Sequence, residues 1–190
     1  MGPEATATLS PEEAQALLRR VARGDRQAFG ALYEGFHRPV FRYLFRLVRD
    51  QEMAEGLLND VMFEVWKGAG RFEGRSKPST WILGIARHLA LNALRRQRPA
   101  TVEADEAVLR DDRLPPLRAA ELAQLRGSLR RALARLSPEH RSVVELTYAH
   151  GLSCQEIAEV MDCPVNTVKT RMFYARQRLR EVLQAMGVEP

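Results

Sequence analysis

The sequence predicts an all-α chain: two helical domains joined by a flexible linker, the second a helix-turn-helix domain. Three observations carry this. Apolar residues recur at three- and four-residue intervals, the spacing of one helix face, and no stretch alternates as a strand would. Serine-led capping boxes and prolines at first helical positions mark helix starts in both halves of the chain. Between the halves, residues 99–117 hold Pro99, Pro115, Pro116 and five acids without a helical stripe, which is the composition of a linker.

Ser10-Pro11-Glu12-Glu13 is a capping box with proline at the first helical position, and Gly24 is placed to end the helix it starts. Asp25 caps a second helix. Pro39 is expected to open a third, carrying Val40, Phe41, Leu44, Phe45 and Val48. A fourth spans about 51–66 and is broken by the glycines at 68, 70 and 74, and a fifth covers 80–98. Beyond the linker, 119–136 is rich in Ala, Leu and Arg, and Ser137-Pro138 restarts a helix that stops at Gly151. Ser153 to Glu156 forms another capping box, and Pro164 opens the last helix.

The 190 residues are 45% hydrophobic and 28% charged, which excludes a disordered chain, a collagen and a coiled-coil rod. No apolar stretch approaches the ~20 residues that cross a bilayer, so no membrane insertion is expected. The start, with Glu4, Thr6, Thr8 and Ser10, lacks a secretory signal, and a cytoplasmic location follows as the expectation. Two cysteines cannot build a disulfide scaffold. Lys and Arg outnumber Asp and Glu by 29 to 24, a net +5, compatible with a polyanionic partner. The excess is divided: residues 1–98 hold 16 basic and 11 acidic groups, 99–117 hold 2 and 5, and 118–190 hold 11 and 8. Two basic blocks are joined by an acidic connector.

Residues 151–180 read as helix, tight turn, helix. The first helix is expected to turn Cys154, Ile157, Ala158 and Met161 to one face, and Asp162-Cys163-Pro164 make the turn. The second sends Val168, Met172, Ala175, Leu179 and Val182 inward. Its opposite side carries Asn166, Lys169, Thr170, Phe173, Tyr174 and Gln177, flanked by Arg171 and Arg178, with Arg176 nearby. From 165 to 180 there are five basic residues and no acid. A solvated helix at the edge of a bundle has no use for two outward aromatics. A helix in a major groove needs small polar side chains for base edges, apolar ones for thymine methyls and cations for phosphates, and all three are present.

In the 80–98 helix the inward stripe is Ile82, Ile85, Ala86, Leu89 and Ala93, leaving Gly84, Arg87, His88, Leu91, Arg95 and Arg98 outward. From 75 to 98 there are six basic residues and no acid. A charge run alone is often only a solvated face. This one follows a Gly-rich loop with an aromatic, 70–79, and cations beside a pocket-forming loop suit a nucleic-acid strand with an unstacked base.

Ordered pieces of the chain resemble a known family. The run Ala54-Glu55-Gly56-Leu57-Leu58-Asn59-Asp60-Val61-Met62-Phe63-Glu64-Val65-Trp66 is similar to the polymerase-binding segment of bacterial sigma factors. Arg71-Phe72-Glu73-Gly74-Arg75-Ser76 and Thr80-Trp81-Ile82-Leu83-Gly84-Ile85-Ala86-Arg87 follow at the family's spacing. Leu136-Ser137-Pro138-Glu139, Gly151-Leu152-Ser153, Glu156-Ile157-Ala158 and the run from Pro164 to Arg171 resemble its second domain. The match covers residues 10–185 with two domains only, as in the extracytoplasmic-function (ECF) group of the sigma-70 family. At Gly56, Asn59, Pro78, Ser79 and Tyr174 the chain departs from residues common in that group.

The resemblance implies two partners, core RNA polymerase and promoter DNA, with an anti-sigma factor as regulator. It assigns 1–98 to polymerase binding and to minus-ten recognition and melting, 99–117 to the linker, and 118–190 to minus-35 recognition. Polymerase contact would fall to Glu55, Asn59, Asp60, Phe63, Glu64 and Lys67. Minus-ten DNA would fall to Phe72, Arg75, Ser76, Lys77, Arg87, His88, Leu91, Asn92, Arg95 and Arg98. Minus-35 DNA would fall to Asn166, Thr167, Lys169, Thr170, Arg171, Phe173, Tyr174, Arg176 and Arg178. Nineteen linker residues reach at most about 65 Å at ~3.5 Å each. Elements about 17 bp apart are separated by about 58 Å, so the linker is just long enough.

No enzyme constellation is visible: there is no phosphate loop, no HExxH and no nucleophile elbow. His37, His88, His140 and His150 lack metal-ligand spacing, and no cofactor is expected. Cys154 and Cys163 read as small hydrophobes rather than a redox or zinc pair. The competing readings are a stand-alone helix-turn-helix regulator with an N-terminal sensor or dimerisation bundle, and a protein-interaction scaffold. The Arg87, Arg95 and Arg98 stripe favours the sigma reading, since a sensor bundle has no need of it.

Overall fold

The computed structural model describes residues 9–96 and 116–188. Its helices are α1 (Pro11–Val21), α2 (Arg26–Val48), α3 (Gln51–Gly68), a 3-10 turn (Ala69–Arg71), α4 (Pro78–Arg96), α5 (Pro116–Ala134), α6 (Pro138–Tyr148), α7 (Cys154–Met161) and α8 (Val165–Ala185). No strand occurs among the described residues. Arg98 and most of the expected linker lie outside them.

The caps work as their residues dictate. Ser10 Oγ accepts from the Glu13 amide while Glu13 accepts from the Ser10 amide at 2.8 Å, and Ala14, Leu18 and Val21 are buried along one face of α1. Gly24, at φ +84°, supplies the left-handed turn, and Asp25 caps α2 through the Ala28 amide at 3.0 Å. Asp50 caps α3 through the Met53 amide at 2.8 Å. The second capping box, Ser153 with Glu156, starts α7, and Asp162 in the left-handed region ends it.

Three boundaries differ from expectation. Residues 26–48 form a single helix that runs through Pro39, not two helices. A proline inside a helix forfeits one backbone bond and costs on the order of 3 kcal/mol. Against that, Leu32 before it and Val40, Tyr43, Leu44 and Leu47 after it are almost fully buried. Each such side chain contributes about 1.5–3 kcal/mol, so packing carries the helix past the proline. α4 begins at Pro78, two residues before the expected start, because proline is compatible with a first helical turn. α5 likewise begins at Pro116.

α2 is the centre of the first bundle, packed by α1, α3 and α4, while α8 packs against α5, α6 and α7 in the second. The two bundles also pack on each other, α4 along α7 and α2 against α6. Val143, Leu146, Ile157, Val160 and Met161 therefore belong to the same core as Leu44, Val61 and Ile82. A smaller cluster of Leu136, Val144 and Ala175 holds the second bundle together.

Candidate nucleic-acid interface

α3 buries Ala54, Leu57, Leu58, Val61, Met62 and Val65, and this leaves its expected contact face outside. Glu55, Asn59, Asp60, Phe63 and Lys67 are exposed and Glu64 is half-buried. Phe63 is 58% exposed. The Lys67 ammonium lies 5.0 Å from its ring centroid and 2.9 Å from Glu64. Trp66 turns instead toward the bundle, edge-on to Phe29 at 5.2 Å.

The loop before α4 is more occupied than expected. Phe72 is half-buried with its ring 5.2 Å from that of Trp81. Gly74 takes φ +73° to turn the chain, Arg75 pairs with Glu73, and Ser76 is half-buried. Lys77 reaches across to Glu156 of α7 at 2.8 Å. On α4, His88 and Arg95 are exposed, Leu91 and Asn92 half-buried, and the Asn92 amide donates to His88 Nε2 at 2.9 Å.

Gly84 and Arg87 do not form the open face that periodicity suggested, because α7 covers them. A Cβ on Gly84 would stand 3.9 Å from the Cα and carbonyl oxygen of Val160. Arg87 is half-buried, its Nε enclosed without a hydrogen-bond partner. Beside it runs a cleft of about 670 Å3 between α3, α4 and α7, in which Arg71, Arg87 and His88 face Glu64, Glu159 and Asp162.

The α8 face is open. Asn166, Lys169, Thr170, Phe173, Tyr174, Arg176 and Arg178 are exposed, while Thr167 and Arg171 are half-buried. Phe173 and Tyr174 stack edge to face at 5.5 Å. Thr170 Oγ1 donates to the Asn166 carbonyl at 2.9 Å, and Arg178 pairs with Glu181 at 3.0 Å. Arg171 turns back toward Cys163 Sγ at 3.7 Å. Cys154, expected on the inward face of α7, is exposed because it occupies the first position after the Ser153 cap. Ile157, Ala158, Val160 and Met161 are the residues α7 buries.

Two features escaped the sequence reading. Tyr148, 65% exposed at the end of α6, accepts from Arg176 Nε at 3.1 Å and lies beneath its guanidinium. The second is a polar network between the bundles. The Arg141 guanidinium donates to the carbonyls of Leu133, Ala134 and Leu136 in its own bundle and to those of Arg46 and Leu47 at the end of α2. The carbonyls at a helix C-terminus lack partners within the helix, and a cation suits their dipole. Arg46 donates to Glu145 at 2.6 Å, and Tyr43 shares a 2.6 Å hydrogen bond with Ser142. The available signal was Glu145 standing inside the apolar run Val143, Val144, Leu146, with Arg141 two residues before it.

Burial dominates the electrostatics of this network. It pushes the Tyr43 phenol up to about 12, against the Ser142 hydrogen bond. It lowers Arg141 to about 10, with the like charge of Arg49 in the same direction, so the guanidinium stays cationic at neutral pH. His150, edge-on to Tyr43 at 5.7 Å, is lowered to about 4 by burial and by Arg46 and Arg42. Glu156 is held at about 2, first by Lys77 and then by the Ser153 amide. Among the described residues no group of His, Cys, Asp and Glu is placed to hold a metal, and no helix is long and apolar enough to cross a membrane.

Comparison with known proteins matches residues 32–100 to Sigma-70 region 2 and residues 126–179 to Sigma-70, region 4. The chain is 32% identical over 188 residues to the RNA polymerase sigma-H factor of Pseudomonas aeruginosa, covering 94% of this chain and 97% of that one. It is 31% identical over 172 residues to the ECF RNA polymerase sigma factor SigX of Bacillus subtilis, covering 86% and 87%. Its fold is similar to that of CnrH, solved in complex with the cytosolic domain of CnrY (TM-score 0.69, 21% identity, 91% and 98% of the two chains). It is also similar to the sigma factor RpoE of Bartonella quintana, solved with the anti-sigma factor NepR (TM-score 0.63, 22% identity, 78% and 91%).

Proposed function

The chain belongs to the extracytoplasmic-function group of the sigma-70 family and directs RNA polymerase to promoters, and from that premise we propose how its three faces divide the work. The outer face of α3 docks on core RNA polymerase in the cytoplasm, with Phe63 as apolar anchor and Asp60 and Glu64 as its charged flank. The loop before α4, with Lys77, Arg87 and Arg95, holds the separated minus-ten strand. α8 lies in the major groove of the minus-35 duplex, where Asn166, Thr170 and Phe173 meet base edges and Lys169 and Arg176 meet phosphates. Catalysis belongs to the polymerase.

The observation that carries this division is the state of α8. It projects a polar, aromatic and cationic face with no acid before Glu181, while it buries Val168 and Ala175 against its own bundle. An anti-sigma protein as regulator draws support from CnrH and RpoE, each solved with a protein partner.

The test is reconstitution with bacterial core polymerase on a random promoter library. Two enriched motifs at fixed spacing, found only when polymerase and chain are combined, are the expected result. Tight sequence-specific duplex binding by the chain alone, with no stimulated transcription, would favour the stand-alone helix-turn-helix regulator.

A further inference from the structure

The packing of α6 on α8 brings together two residues that no sequence pattern joins. Val144 of α6 and Ala175 of α8 are buried in one cluster. Tyr148 stands one turn after Val144 on the same side of α6, and Arg176 follows Ala175, so this contact sets the pair side by side. Arg176 Nε donates to the Tyr148 hydroxyl at 3.1 Å, and the guanidinium lies 5.8 Å from the centre of the ring. Tyr148 is nevertheless 65% exposed, so burial does not account for an aromatic at this place.

The pair has hydrogen-bond donors to spare. A phenol can give its proton while a lone pair accepts, and a guanidinium has N–H groups beyond Nε. With Nε–H on the tyrosine oxygen, the phenol proton and the Nη–H groups remain for an outside acceptor. Glu181, the first acid along α8, is taken by Arg178 at 3.0 Å, and residues 146–155 contain no acid. The pair also continues a line. Lys169, Phe173 and Arg176 succeed one another at helical spacing along α8, and all three are exposed. Tyr148 adds a donor from a second helix at the end of that line.

We infer that Tyr148 is a further DNA-contacting residue: its hydroxyl and the Arg176 guanidinium form one clamp for a single phosphate at the edge of the minus-35 duplex. This rests on the placement of α8 in that groove, and it extends the site to α6. The phosphate oxygens take the tyrosine proton and the Nη–H groups, while Nε–H stays on the tyrosine oxygen. Ring and hydroxyl hold the guanidinium before DNA arrives, so the ordering of a long side chain is not left to the moment of binding. Phosphate contacts fix orientation and carry no sequence information. The clamp therefore sets how α8 sits in the groove, and the bases are left to Asn166, Thr170 and Phe173.

The test uses the full-length chain assembled with core polymerase, and a promoter duplex that the wild-type holoenzyme recovers from the random library. Tyr148→Phe keeps the ring under Arg176 and removes only the hydroxyl. It should weaken binding about threefold on every single-base variant of the upstream motif, with the thermal midpoint of the free chain nearly unchanged. Arg176→Ala should weaken binding about tenfold. The double variant should lose clearly less than the product of the two, because both residues act on one phosphate. Replacing phosphates one at a time by neutral methylphosphonate locates it: at one position the replacement should weaken the wild type and cost each single variant much less. Multiplicative losses with no such position overturn the inference, as does a Tyr148→Phe chain that binds as wild type does. Failure of the underlying reading looks different, because Arg176→Ala and Thr170→Ala would then both bind every duplex as wild type does.

Discussion

Lys77 and Glu156 meet at 2.8 Å across the two halves of the chain. A cation proposed to meet nucleic acid is thereby occupied by a carboxylate of the helix-turn-helix bundle, and that same carboxylate also caps α7. Neutralising it separates these roles, because glutamine still caps but no longer pairs.

The proposed docking on polymerase rests on the outer face of α3. Asp60→Lys with Glu64→Lys should weaken holoenzyme formation about tenfold or more, measured by competition for core enzyme. Circular dichroism should stay helical, because neither residue belongs to the buried set of α3. Unchanged affinity would remove this face from the account.

Arg141→Ala removes a donor from five carbonyls, of which that of Leu133 keeps the Leu136 amide, and an unsatisfied buried polar group costs about 1–3 kcal/mol. Some of these carbonyls reach water once the packing relaxes, so a net loss on the order of 3 kcal/mol in urea unfolding is expected. Tyr43→Phe, which removes only the bond to Ser142, should lose about 1–2 kcal/mol. Equal effects of the two would contradict the central place given to Arg141.

Acid should act in two windows. His150 titrates near 4 in the folded chain against 6.5 when exposed. Between those values the unfolded chain binds more protons, so stability falls as pH drops from about 6.5 to about 4. The groups acting on it are Arg46, Arg42 and the Tyr43 ring. Glu156, held near 2, contributes stability that is complete above 4.5 and lost as pH falls through about 2. His150→Gln should flatten the upper window and Glu156→Gln the lower one, read from thermal midpoints across pH.

On α8, Arg176→Ala should weaken minus-35 binding evenly across sequences and reduce the salt slope by about one. Tyr148→Phe should do the same to a smaller degree, since its hydroxyl orients Arg176. Thr170→Ala or Phe173→Ala should instead change preference at one or two base pairs, by ~1–3 kcal/mol each. Binding by holoenzyme to a panel of single-base variants at several salt concentrations distinguishes the two patterns.

Much of this molecule was legible because its signals are local. Ser10 with Glu13 and Ser153 with Glu156 announce helix starts within four residues, and the Val168, Met172, Ala175, Leu179 stripe fixes the inward side of α8. The misreadings were tertiary. Pro39 looks like a helix start until the buried residues on both sides are counted. Gly84 and Arg87 look outward by periodicity, and only the docking of α7 covers them. Arg141, Ser142 and Glu145 sit beside or within the run Val143, Val144, Leu146, but their partners in α2 are about a hundred positions away. No spacing rule connects them.

The central claim is that this chain lets polymerase open promoter DNA through the α4 face. Potassium permanganate footprinting of reconstituted holoenzyme, on duplex and on pre-melted templates, tests it most directly. With the wild-type chain, thymines upstream of the start site should become reactive on duplex DNA, and core enzyme alone should leave them protected. Arg87→Ala and Arg95→Ala should lose this reactivity on the duplex and retain more of it on the pre-melted template. Variants that melt duplex DNA as well as wild type would contradict the account, and α4 would then be a solvated face.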